Sequence, residues 1–297
     1  MPGRELPIGA RVALVMLTVI WGLSWPIMRV ALAEIPPFSF RVLTSGLGAL
    51  TLISYAKFRG DRMAVTVGMW HHIVVASLLN IVGFAVLGSV AQLLGATGRV
   101  AVVIYSMPVW VALFARLILG ESLTAGRMAA LGLCVAGLVA LMVPQLHTGG
   151  IIGILLALAS GVSWAAGTVY LKWAKLDVEP LVLTAWQLMV AFVVILALAP
   201  IFDPRPPTWH VHPGAVFGVL YSGIIAVGFA NAIWFNIITR VPAGTAALGI
   251  VSVPMIGVIT SMYVLDEFPT KLDIVGFALI VAASACALLG SWKRPAR

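Results

Sequence analysis

The chain has 297 residues, 62% hydrophobic and 9% charged, with a formal net charge of +8. A soluble domain carries about a quarter charged residues, so an ordinary aqueous fold is excluded and the lipid bilayer is the expected solvent and partner. The basic residues lie between apolar runs rather than in one patch, which argues for membrane topology and against nucleic acid as a partner.

A helix that crosses a bilayer needs about 20 mostly apolar residues. In chain order the sequence predicts ten such spans, at 8–32, 36–57, 69–91, 96–115, 124–143, 149–171, 180–201, 213–237, 243–264 and 271–292. The first follows Arg4 and Arg11 and ends in Ala31-Leu32-Ala33, which resembles a signal-peptidase site. Its length and its Trp21, Trp25, Pro26 and Arg29 lead us to expect an uncleaved helix. The third and fourth are parted only by a brief polar break from Gln92 to Arg99. The longest connections, Phe58–Gly68 and Phe202–His212, leave no room for a soluble domain, and the second is a stiff Asp203-Pro204-Arg205-Pro206-Pro207 turn. Cys134 and Cys286 sit inside apolar runs without CxxC spacing or a nearby His, so buried thiols are expected rather than a disulfide or metal site. With a cytoplasmic N-terminus, 13 Lys and Arg lie inside and five (Arg29, Arg41, Arg99, Arg205 and Lys271) lie outside. That bias predicts that both termini are cytoplasmic.

The chain repeats itself. Gly98-x-x-Ala101-x-x-Ile104-x-Ser106-x-Pro108 matches Gly244-x-x-Ala247-x-x-Ile250-x-Ser252-x-Pro254 at an offset of 146. The match continues through Leu119-x-Glu121-x-x-Thr124 and Leu265-x-Glu267-x-x-Thr270. Trp21 and Trp164, and Pro37 and Pro180, are each 143 apart. We therefore expect an all-α integral membrane protein built of two five-helix repeats, 1–147 and 148–297. Five is odd, so the second copy enters from the opposite side, the inverted-repeat pattern of many secondary transporters.

The first-helix Trp21-Gly22-Leu23-Ser24-Trp25-Pro26, the Pro36-Pro37 followed by Arg41, and the two blocks ending Gly120-Glu121 and Asp266-Glu267 resemble the drug/metabolite transporter superfamily, specifically its ten-helix exporters with two EamA-type repeats. The resemblance implies a bacterial inner-membrane exporter with a central cavity between the repeats. Within the family the chain looks most like the amino-acid exporters, including those for aromatic amino acids. Trp164-Ala165-Ala166-Gly167 lacks the Pro of the first helix, so the halves need not contribute equally.

Polar groups inside spans are costly and tend to face the bundle interior. Candidates to line a substrate chamber are Trp21, Ser24, Trp25, Asn80, Tyr105 and Ser106 in the first half. The second half offers Ser160, Trp164, Tyr221, Ser222 and Ser252. Trp and Tyr combine flat apolar surface with a donor and can face a cation, which suits an amino acid with a large side chain. The competing reading is structural: Ser bonding its own helix, Trp and Tyr anchoring at interfaces. Pro26, Pro108 and Pro254 strip helical partners from the carbonyls of Gly22, Ile104 and Ile250, which leaves them to hold an ammonium group or to act as hinges. Gly153, Ala157 and Gly161 form a small-xxx-small stripe expected to pack helices.

None of the ten acidic residues lies at a span centre, so facilitated diffusion is as open as proton antiport. Glu121 and Glu267 read as helix-end or loop-capping groups. The chain has no GxxxxGK[ST] loop, HExxH pair or GxSxG elbow, and no catalytic residue, cofactor or metal is expected. The leading reading is amino-acid export by alternating access. A multidrug, nucleobase or other metabolite exporter is the alternative, and a membrane-embedded enzyme the less favoured one. Oligomeric state is left open.

Overall fold

The structure is a computed structural model that describes residues 8–121, 124–146, 150–203, 211–237 and 243–289, without the side chains of Arg11, 235–237, 243–250 and 288–289. Both chain termini, the 204–210 turn and the surroundings of Ile250 lie outside the described residues. Every regular element among the described residues is helical. They are α1 (Ile8–Leu32), α2 (Pro37–Arg59), α3 (Trp70–Ser77), α4 (Phe84–Leu94), α5 (Thr97–Ile104), α6 (Met107–Leu119), α7 (Ala125–Met142), α8 (Ile151–Ala174), α9 (Pro180–Phe202), α10 (Pro213–Leu220), α11 (Ala230–Ile237), α12 (Ala243–Val264) and α13 (Lys271–Leu289). Wide π-helical turns, Leu78–Gly83 and Tyr221–Phe229, join α3 to α4 and α10 to α11.

Among the described residues, seven continuous runs are long and apolar enough to cross a membrane: Ile8–Leu32, Val67–Leu94, Thr97–Leu119, Ala125–Gln145, Ile151–Ala174, Pro180–Phe202 and Pro213–Trp234. The remaining expected spans coincide with helices as well. These are α2, diluted by Arg41 and by small polar residues, then α12 and α13. Side chains such as Val15, Leu50, Leu117, Val193, Phe217 and Ile274 stand more than half exposed on the outside of the bundle. A water-soluble surface does not carry apolar area of that extent, and lipid covers it here.

The turns follow from local sequence. Pro37, Pro180 and Pro213 occupy the first helical turn of α2, α9 and α10, where a missing N–H costs nothing. Gly120 (φ 67°) and Asp266 (φ 53°) sit at the 146 offset in the left-handed conformation. Beyond them Glu121 N donates to Ala115 O at 3.2 Å and Glu267 N to Ser261 O at 3.3 Å, closing both preceding helices in the same way. Thr124 caps α7 through Arg127 N. Thr270 caps α13 reciprocally with Asp273, a capping box with N–H to side-chain bonds of 3.2 and 2.9 Å.

Packing recurs when the two halves are exchanged. α1 lies against α12, and α8 against α5 and α6. α1 touches α10 and α11, and α8 touches α3 and α4. α2 lies against α9 and α7 against α13, each pair linking equivalent helices. The π-helical turns begin at Leu78 and Tyr221, again 143 apart. The small-xxx-small stripe is packing surface, as read from sequence. A Cβ added at Gly153 would sit 2.9 Å from Leu94 O, and one at Gly161 would sit 2.8 Å from Ile104 O. Only hydrogen at these positions lets the backbones approach so closely.

Candidate functional site

The centre of the molecule is organised by a helix break. Pro108 cannot donate to Ile104, so the chain leaves α5 at Ile104 and re-enters helix at Met107. In between, Ser106 N turns to Val103 O (3.1 Å) and Val109 N to Ser106 O (2.9 Å). The Tyr105 carbonyl accepts from Ser284 Oγ of α13 at 2.9 Å. The Ile104 carbonyl lies against Gly161 of α8. Opposite, α12 runs unbroken through Pro254. A small cavity of about 10 Å³ lies between them, lined by Val102, Tyr105, Pro108, Val251, Pro254, Ile280, Val281 and Ser284. Trp25 of α1 stands edge-on to Tyr105, with ring centroids 6.1 Å apart at 71°. The structure thus brings Trp25, Tyr105, Pro108 and Pro254 together from three distant parts of the chain.

Around this cavity the π-helical turns leave carbonyls that crossing helices satisfy. From α1, Trp21 Nε1 donates to Ala226 O at 3.0 Å, and Tyr221 Oη returns a bond to Ile20 O at 2.9 Å. Trp21 also rests on Trp234, with centroids 5.9 Å apart. From α8, Ser163 Oγ donates to Leu79 O and Ser160 Oγ to Phe84 O, both at 2.7 Å. Asn80, half-buried in the first π-helical turn, sits where a Cβ on Gly167 would come within 2.8 Å of its own Cβ. Gly22 admits Ile256 of α12 beside its own carbonyl, to which Pro26 has no N–H to donate.

The remaining expected residues divide. Ser24 Oγ donates to Trp21 O at 2.6 Å within its own helix, and Ser106 Oγ accepts Trp110 Nε1 at 3.0 Å. Trp164 is half-buried on α8, its carbonyl taking Thr168 Oγ1 at 2.9 Å. Ser222 is buried and its Oγ has no hydrogen-bond partner among the described residues. Ser252 is exposed on α12, away from the cavity lining. Ser284, Ser163 and Trp234 were not legible as site residues. Ser284 lies 179 positions from the carbonyl it serves, and small hydroxyl residues in apolar runs carry no pattern of their own.

Opposite charges pair at the ends of the bundle. At one end Glu267 accepts from Thr97 N (2.6 Å) and Thr97 Oγ1 (3.3 Å), while Arg99 grips Asp273 with two bonds of 2.8 and 2.9 Å. A second cavity of about 40 Å³, lined by Arg99, Glu267, Phe268, Asp273 and Phe277 among others, opens beside them. At the other end Glu121 accepts from Lys172 (2.6 Å) and Arg127 (3.1 Å). The Lys172 ammonium and then Arg127 hold the Glu121 carboxyl below the usual carboxylate range, against its partial desolvation. Among the described residues no group of His, Cys, Asp and Glu is arranged to hold a metal ion.

Comparison with known proteins agrees with this architecture. The model of the EamA-like transporter family matches residues 10–143 and again 151–289. The uncharacterized transporter YvbV of Bacillus subtilis is 28% identical over 95% of this chain and 92% of its own length. YoaV of the same organism is 24% identical over 90% and 92%. An Escherichia coli protein named "Probable amino-acid metabolite efflux pump" is 21% identical over 94% and 95%. A solved crystal structure superposes over 96% of this chain and all of its own, with a TM-score of 0.64 at 22% identity, so the fold is shared.

Proposed function

The chain belongs to the EamA-like transporter family, and we propose that within it the protein exports amino acids with large neutral side chains by alternating access. In this reading ten helices span a bacterial inner membrane as two inverted five-helix repeats, 1–147 and 148–297, with both termini cytoplasmic. The repeated packing, the paired π-helical turns and the charge bias support it.

The observation that carries the proposal is the cavity beside Tyr105. It is walled by aliphatic side chains and two prolines, has Tyr105 and Ser284 as its polar members, and backs onto Trp25. The space is closed down to about the size of a water molecule in this conformation. When the helices around it part, an apolar side chain gains by entering it, and the aromatic rings face an ammonium group favourably. Trp21, Ser24, Asn80, Ser106, Trp164 and Tyr221 complete the proposed chamber or its supports, while Ser252, exposed on α12, drops out of it. The Pro108 break, with the Ile104 carbonyl covered by Gly161, suits a hinge better than an ammonium ligand, and we assign Pro26 with Gly22 and Pro254 with Ile250 to the same role. The Escherichia coli relative named for amino-acid metabolite efflux points the same way.

The test is counterflow in proteoliposomes with radiolabelled amino acids and no imposed ion gradient. Exchange of several large neutral amino acids, abolished by Tyr105→Ala in folded protein, is the expected result. Failure of folded wild-type protein to exchange any amino acid overturns the assignment and moves the search to drugs and nucleobases.

A further inference from the structure

An amino acid carries a carboxylate as well as an ammonium group, and neither cavity wall nor aromatic ring pairs with an anion. Taking that charge out of water unpaired is prohibitive. Two arginines near one end of the first half have the matching property: they are cations set into the bundle without a carboxylate.

Arg41 of α2 is half-buried. Its Nε donates to Ala85 O (3.0 Å) and Ser89 Oγ (2.5 Å) of α4, and its Nη2 to Met28 Sδ of α1 (2.8 Å). The guanidinium carbon lies 5.3 Å over the Phe40 ring. Arg29 of α1 reaches the same helix and donates through Nη1 to Gln92 O. Ser89 and Gln92 are three residues apart, so these two anchor points lie ~4.5 Å from each other along α4. Their surroundings are interior: Phe40, Ser89 and Gln92 are wholly buried and Met28 is 6% exposed. The wholly buried Gln92 has an Oε1 with no hydrogen-bond partner among the described residues, so the packing beside Arg29 is polar and incompletely satisfied.

No carboxylate lies within ion-pair distance of either arginine among the described residues. Every acidic residue except Glu5 is described. The carboxylates drawn to this end are engaged elsewhere. Asp203 accepts from Ser39 N at 2.6 Å, and Glu34 holds His212 through its backbone N–H (2.8 Å) and ring Nδ1 (3.0 Å). Both Nη1 hydrogens of Arg41 remain without a partner among the described residues. A guanidinium fork offers two parallel donors in the geometry a carboxylate accepts.

We propose that Arg41 and Arg29 form an anion subsite that holds the carboxylate of the exported amino acid. The proposal rests on the amino-acid reading above. It separates the substrate's two ends, with the carboxylate between α1, α2 and α4 and the side chain toward the Tyr105 cavity. A phospholipid phosphate shares the anion chemistry. The buried partners of Arg41 place its head inside the bundle rather than on the lipid face, which favours the substrate.

The experiment is competition of labelled phenylalanine exchange, in proteoliposomes of zwitterionic lipid, by unlabelled phenylalanine, phenylalaninamide and phenethylamine. In wild-type protein the amide and amine are expected to compete about 10- to 100-fold more weakly than the acid, the worth of a charge-assisted pair. Arg41→Gln and Arg29→Gln are each expected to raise the half-saturating phenylalanine concentration by a similar factor without changing that of the amide. The wild-type series decides the matter even if Arg41→Gln does not fold. Equal competition by acid, amide and amine overturns the subsite and leaves amino-acid exchange standing. An arginine effect confined to vesicles of anionic lipid assigns the pair to headgroup phosphate and also overturns it. No exchange of any amino acid by folded wild-type protein removes both readings.

Discussion

Asp273→Asn is the sharpest test of how the bundle is closed at the end bearing Thr97. Asp273 is 3% exposed and accepts four bonds, two from Arg99 and two from Thr270. The amide keeps the shape but loses the charge, and its NH2 confronts donors on at least one side whichever way it is flipped. Removing one partner of a buried ion pair costs about 3–5 kcal/mol. The Arg99 side chain is 14% exposed beside an open cavity, so water relieves part of that, and we expect about 2–3 kcal/mol. Arg99→Met leaves Asp273 its capping bonds to Thr270 and should cost about 1–2 kcal/mol. The assay is SDS-titrated unfolding of purified protein across the full double-mutant cycle. A coupling of about 1–2 kcal/mol is expected, and one below about 0.5 kcal/mol refutes the claim that this pair clamps α5 to α13.

Two further outcomes follow from the geometry. Because Lys172 and Arg127 depress the Glu121 carboxyl, its contribution to stability is complete above the ordinary carboxylate value of about 4.3 and is lost only as pH falls through the lower folded value. Thermal stability is therefore expected to show no Glu121 dependence between pH 7 and 5, and Lys172→Met should move the acid-side decline of a wild-type-minus-Glu121→Gln difference curve upward in pH. A decline already present near pH 6 in wild type contradicts this. Gly161→Val sets a side chain against the Ile104 carbonyl, 2.8 Å from the first added carbon, and is expected to destabilise by about 1–3 kcal/mol and to reduce transport by separating α8 from the α5–α6 break. Gly132, with nothing within 4 Å of an added Cβ, is the control at which Val is tolerated.

Sequence alone determined the helices of this protein and most of their ends. Apolar runs of membrane length can only satisfy their backbone bonds internally, so helices follow from composition and length without reference to packing. The prolines that open α2 and α9, the left-handed residues before Glu121 and Glu267 and the threonine caps after them are likewise local events, which is why the 143 and 146 offsets were visible as a repeated pattern. Those glutamates read as end groups, and the structure places them at the ends. The small-residue stripe of α8 was legible because close backbone approach demands residues without bulk at a spacing of four. Tertiary structure alone decided which polar residues meet. Trp25, Tyr105 and Pro254 share one centre only because α1, α5, α6 and α12 cross there. Ser284 serves the Tyr105 carbonyl across 179 positions, a relation that no periodicity encodes. Ser24, chosen for polarity, spends it within its own helix, since a hydroxyl in an apolar span takes the nearest acceptor, and Ser106 accepts from Trp110 four residues on. The π-helical turns and the burial of Arg41 among α1 and α4 are also products of packing: a charge counted as a surface marker of topology becomes an interior cation once three helices close around it.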